Sequence, residues 1–215
     1  MPAVTTPVFI FGRKRMNPVY MDHAAILAKG FAQENGWMTM ELFKAYLEQF
    51  VEMVKPTTER PVCLMLDRHE SHTRSLEALD YAKSNGVILL SLPPHTTHKL
   101  QPLYTGFFKP LQTHYDRFIS TWLCSHPGTT FTEYQVAEAF NEAFSKAATV
   151  ARAVNAFAKC GIWPLNEDVF SDADYSAAET TDQTQAARTS TAAAVGSQSN
   201  SHTGSFCVRP MLYID

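Results

Sequence analysis

The apolar positions of this chain change period several times, and each change marks an element. Val8 to Phe11 is a short β-favouring run and reads as a strand. Residues 16–36 hold Gly30 and Gly36 and show no period that assigns them. From Thr39 to Val54, Phe43, Tyr46, Leu47, Phe50, Val51 and Val54 recur at spacings of three and four, which predicts a helix. Thr39 suits its N-cap and Glu41 its positive first turn. Val62 to Leu66 is continuously apolar, the pattern of a strand buried on both faces. A helix from Thr73 or Ser75 follows, with Leu76, Leu79 and Ala82 on one side and Gly86 at its C-terminal end. Val87 to Leu92 is a second buried strand, ended by Pro93 and Pro94. Residues 62–92 therefore have the size of a βαβ crossover with parallel strands.

Beyond that unit, His95 to Lys99 reads as a polar loop leading to Leu100-Gln-Pro-Leu103. A long helix follows, with Phe107, Phe108, Leu111, Tyr115, Phe118, Ile119, Trp122 and Leu123 as a core stripe, provided it begins close to Pro110. Thr132 to Gln135 fits a capping box for a helix carrying Val136, Phe140 and Phe144. A last helix spans Val150 to Cys160, closed by Gly161 with Pro164 beyond. The expected class is α/β, with helices accumulating toward the C-terminus.

Composition changes near residue 171. Ser171 to Ser205 is Ser, Thr, Ala, Gln and Asp with Tyr175 as its one aromatic residue, too little apolar area to offset the entropy of ordering, so 171–215 is expected to be a disordered tail. Its end, Phe206 to Asp215, turns apolar again and could dock. Over the whole chain the formal net charge is -3, which argues against a globally basic nucleic-acid binder but leaves room for a local basic groove. Four cysteines form no C-x-x-C pair and suggest reduced thiols rather than zinc or a disulfide framework. No apolar run is long enough to span a membrane, and the first residues do not form a signal peptide.

Asp67 ends the first buried strand, where ligands bind in open α/β sheets. It could equally cap the next turn. Asp67, His69 and His72 could be metal ligands by spacing, but nothing else there fixes a geometry, and His95, His98 and His114 add no recognised ligand spacing. There is no Gly-rich phosphate loop and no nucleophile elbow. Arg13, Lys14, Arg15, Arg68, Lys99 and Lys109 could line a cationic track for phosphates.

Leu66 to His72 matches a pattern like L-D-x-H-x-S-H, Leu92 to His98 matches L-P-P-H-T-T-H, and Leu100 to Phe108 matches L-Q-P-L-D-x-G-x-F except at one position. Gly36 to Phe43 and Phe157 to Pro164 add G-W-M-T-x-x-L-F and F-x-x-x-G-I-x-P. These ordered motifs resemble DDE superfamily endonuclease domains, of the type in pogo, Tigger and jerky transposases, over roughly residues 7–175. The resemblance implies a ribonuclease-H-like mixed sheet flanked by helices, a partial domain over 1–170 that lacks the first strands, and a nuclear location. It also implies Mg²⁺ held in pairs by three acids for in-line phosphoryl displacement. Asp67 corresponds to the second acid. The third-acid position holds Tyr104, a poor Mg²⁺ ligand that is neutral at pH 7. The first acid would lie on an opening strand upstream of this sequence. Asp116 and Glu70 are distant or ill-placed substitutes. The expectation is a transposase-derived domain with Asp67 as a vestigial ligand and weak, non-specific DNA binding through Lys99, Lys109 and Arg68. An active Mg²⁺-dependent endonuclease within a longer product, and a protein-interaction scaffold, are the alternatives.

Overall fold

The computed structural model describes residues 7–67, 70–93 and 96–171, with the backbone alone at Glu70 and Thr73. The elements run β1 (Val8–Gly12), β2 (Lys29–Gln33), α1 (Met40–Val54), β3 (Val62–Leu66), α2 (Glu70–Thr73), α3 (Leu76–Ser84), β4 (Val87–Ser91), α4 (Thr97–Leu100), a π-helical turn at Leu103–Phe107, α5 (Phe108–Ser125), α6 (Glu133–Ala147) and α7 (Val150–Lys159). The tail expected at 171–215 lies outside the described residues from 172 onward. Among the described residues, no helix is long and apolar enough to cross a membrane.

Local chemistry sets most boundaries. The Thr39 hydroxyl accepts the Leu42 N–H at 3.3 Å and starts α1. The Ser75 hydroxyl accepts from Ala78 at 3.3 Å and starts α3. Gln135 accepts the Thr132 N–H at 3.0 Å, one arm of the capping box before α6. Gly86 turns the chain from α3 into β4 at φ +73°, and a Cβ there would stand 2.3 Å from the Thr57 carbonyl oxygen. Both facts make glycine the residue that fits. Pro110 falls in the first turn of α5, where its missing N–H costs nothing.

The strands form two parallel pairs. β1 pairs with β2 from Val8↔Lys29 to Gly12↔Gln33, and β3 pairs with β4 from Val62↔Val87 to Leu66↔Ser91. The expected βαβ unit is therefore present, and among the described residues the strands pair in two two-stranded sheets. The unassigned stretch 16–36 contains β2, whose sequence KGFAQ has too little alternation to announce a strand. His95 to Lys99 is also not a plain loop, because Thr97–Leu100 is helical. Glu70 opens the short helix α2 after β3.

Two apolar clusters hold the layers. On one side Val8, Leu64, Leu66 and Val87 pack with Phe43, Leu47 and Phe50 of α1 and Ala78 and Ala82 of α3. On the other side Phe9 and Phe11 pack with Phe107, Leu111, Val136 and Phe140. Successive β1 residues thus serve opposite clusters, as period two requires.

Two expectations about burial need correction. β3 and β4 are buried on one face only. On the other face Cys63 is exposed, Ile88 is 54% exposed and Leu90 48%, because α1 and α3 cover the face carrying Leu64 and Val87. The aromatic stripe of α5 is buried at Phe107 and Leu111, but Phe118, Ile119 and Trp122 are half-buried and Leu123 is exposed. There α5 rests on α6, with Trp122 edge-on to Phe131 at 5.6 Å between centroids and stacked on His126 at 4.3 Å.

Candidate functional site at the ends of β3 and β4

Parallel pairing brings the C-terminal ends of β3 and β4 together. The Leu92 N–H donates to the Leu66 carbonyl at 2.9 Å, so the segments starting at Asp67 and Pro93 leave the sheet side by side. These carry two of the motifs separated by two dozen residues in sequence. Arg68, His69 and His95 lie outside the described residues.

Asp67 has a specific neighbour. The His72 Nδ1 stands 2.9 Å from Asp67 Oδ1, with the ring 6% exposed and the carboxylate 39% exposed. Short helix α2 makes this possible by folding the chain back after the strand. The His72 ring then packs against Phe43 of α1 at 4.6 Å between centroids. A buried His that donates to a carboxylate fixes where that carboxylate points. The sequence offered His72 as a metal ligand beside Asp67. The structure places it as Asp67's hydrogen-bond partner.

Tyr104 lies in the π-helical turn Leu103–Phe107, 57% exposed, with its ring edge-on to Phe108 at 5.3 Å. Such turns widen a helix by one residue and are frequent at functional positions. Sequence reasoning missed this turn, since a π register has no hydrophobic period of its own. Gly106 within the aromatic run was the one available signal, because an isolated glycine in a helical pattern marks a close approach. A Cβ there would stand 2.5 Å from the Ala156 Cβ, so Gly106 lets α7 lie directly against the turn. Thr105 Oγ1 adds a 3.3 Å contact to the Cys160 Sγ. Burial pushes the Cys160 thiol up, with the Thr105 hydrogen bond opposing it.

The basic residues divide by use. Lys109 is exposed on the first turn of α5, and Lys99 is half-buried on α4. Arg13 is committed elsewhere, since its guanidinium pairs with Glu133, the first residue of α6. Lys14 is 3.8 Å from Glu34 with both side chains exposed. Arg13 therefore ties β1 to α6 rather than contributing a free charge to the expected track.

The residues described do not fit a pair of Mg²⁺ ions. Among them no group of three or more His, Cys, Asp or Glu is placed to hold a metal ion. Asp67 shares one oxygen with a ring N–H, and Tyr104 offers a phenol rather than a carboxylate. Asp116, the distant candidate, sits on α5 and accepts from Gln112 at 2.7 Å. Hard cations of this kind require several oxygen donors in near-octahedral array.

No solved structure matches this chain significantly. A protein of Cochliobolus lunatus named MFS-type transporter clz9 is 36% identical over 138 residues, which is 63% of this chain but 15% of that protein's length. The family model described as DDE superfamily endonuclease matches residues 21–160, from the start of β2's approach through the end of α7. Across the segment holding Asp67, the two adjacent strand ends and the turn of Tyr104, the chain belongs to the DDE superfamily endonuclease family.

Proposed function

We propose that this chain is a transposase-derived DDE domain of ribonuclease-H-like fold and pogo/Tigger type that binds DNA weakly and non-specifically and does not cut it. The observation that carries this reading is the set of donors that the motif positions supply. Asp67 is paired with His72, Tyr104 stands where the motif resemblance expects the third acid, and no acidic cluster stands among the described residues. In-line phosphoryl transfer by two metals needs donors on both ions. Lys99 and Lys109, with Arg68, supply the positive charge for phosphate contact. A nuclear location and a domain spanning 1–170 belong to the same proposal.

The test is a nicking assay on supercoiled DNA with Mg²⁺ or Mn²⁺, alongside binding measured across salt. The expected result is no cleavage, with an affinity that falls steeply as salt rises. Metal-dependent cleavage that disappears in Asp67→Asn overturns the inactive reading. Binding that is absent, or flat with salt, favours a protein-interaction scaffold.

One observation favours the active alternative. Val8 of β1 shares a core with Leu64 and Leu66 of β3, yet each strand has one strand partner among the described residues. A buried strand with an unused edge accommodates a further strand. If a longer product supplies one that carries an acid, a second donor would join Asp67.

A further inference from the structure

The open face of the β3–β4 pair is the floor of an apolar cavity of about 280 Å³. Cys63, Met65 and Leu90 form the floor, Phe107 and Ala153 stand on the walls, and Trp163 is at the rim. A rim tryptophan 72% exposed and a neighbouring Leu165 75% exposed leave this surface more apolar than a solvated face requires. An apolar cavity of ~150 Å³ takes a benzene-sized group, so this one has room for more than one large side chain. We propose that the cavity is the docking site of this chain's own segment Phe206 to Asp215.

Three observations point to that occupant. First, the segment concentrates bulky apolar residues, Phe206, Val208, Met211, Leu212, Tyr213 and Ile214, after a long stretch of Ser, Thr, Ala and Gln that offers almost none. Second, the tether begins at the rim. Ile162 and Trp163 line the cavity, and the chain then folds back on itself, with the Asn166 N–H donating to the Gly161 carbonyl at 2.9 Å before reaching Ser171. Phe206 is 35 residues further along. Thirty-five residues can extend over as much as ~115 Å, so the length of chain is ample for the segment to return to the rim. Third, Arg152 lines the cavity and has no carboxylate partner among the described residues. Its Nη1 donates to the carbonyls of Lys146 and Ala147 at 2.6 and 3.0 Å. Asp215, next to the apolar cluster, brings the complementary charge.

The chain carries its own probes. Cys63 lies on the cavity floor, Cys207 lies in the segment, and Cys124 is exposed on the last turn of α5, outside the cavity lining. The full chain, mixed with an isotopically labelled copy, is treated with a short bismaleimide and its linked peptides are identified by mass. Docking gives Cys63–Cys207 links within one chain, at least fivefold over Cys124–Cys207. Cys63 then alkylates at least fivefold faster in the Leu212→Asp/Ile214→Asp double variant, which leaves every described element untouched. Equal linking of Cys207 to Cys63 and Cys124, or equal alkylation rates in the two proteins, overturns the proposal. Links found between labelled and unlabelled chains overturn it too, in favour of a second copy as the occupant.

Discussion

His72 holds Asp67 across the end of β3, Nδ1 to Oδ1 at 2.9 Å, while its ring lies against Phe43 of α1. The acid of the L-D motif and the helix of the upstream motif are thereby joined through one buried side chain. His72→Ala removes both the ring packing and the hydrogen bond and should cost about 2–4 kcal/mol, read from urea unfolding. Asp67→Asn keeps an oxygen facing His72 and should cost less than half as much. Equal losses in the two variants would mean that ring packing contributes nothing.

Gly106 and Ala156 set the distance between the π-helical turn and α7. Gly106→Ala places a methyl 2.5 Å from the Ala156 Cβ, and neither helix can yield without disturbing the Thr105–Cys160 contact. Overpacking of this kind costs about 1–3 kcal/mol. The double change Gly106→Ala/Ala156→Gly should recover most of that loss, since the colliding atom is removed. Thermal midpoints of the three proteins check this.

Glu133 gives the fold an acid-sensitive joint. Burial pushes its carboxyl up, but hydrogen bonding from its own backbone amide, together with the hydrogen bond and charge of Arg13, outweighs burial and holds it below the ordinary value of 4.5. A carboxyl with a depressed folded value contributes stability that is complete above its unfolded value. That contribution is lost as pH falls through the folded value. Unfolding measured from pH 7 downward should therefore lose stability below about pH 4.5, and Glu133→Gln should flatten part of that decline. An unchanged acid limb in the variant would show that the Arg13–Glu133 pair is not the titrating element.

Charge at the candidate interface is testable through salt. Lys109→Gln and Lys99→Gln should each weaken DNA binding and reduce the slope of log affinity against log salt by about one. Lys14→Gln, whose side chain lies by Glu34, should leave the slope unchanged. Equal slopes in all three variants would place the phosphate contacts elsewhere.

The legible parts of the fold are those decided within a few residues. Thr39, Ser75 and the Thr132–Gln135 box start helices because a side chain reaches an amide three positions away. Val62–Leu66 and Val87–Ser91 pair in parallel because the helix between them leaves a right-handed crossover as the compact solution. Asp67, too, was marked by its place at the end of a strand. β2, by contrast, gains its strand geometry from pairing with β1, which a sequence like KGFAQ cannot announce.

By itself the sequence determined which residues carry charge, which runs form helices or strands, and which motif positions hold an acid or a phenol. All of these are properties of single residues or of neighbours along the chain. Only the tertiary structure decided that His72 faces Asp67, that Arg13 is spent on Glu133, that α7 closes on Gly106, and that one face of β3 and β4 stays open. Each of those depends on which surfaces meet. Hydrophobic burial has no direction of its own, so the partners are set when packed helices choose a face and not by the local pattern.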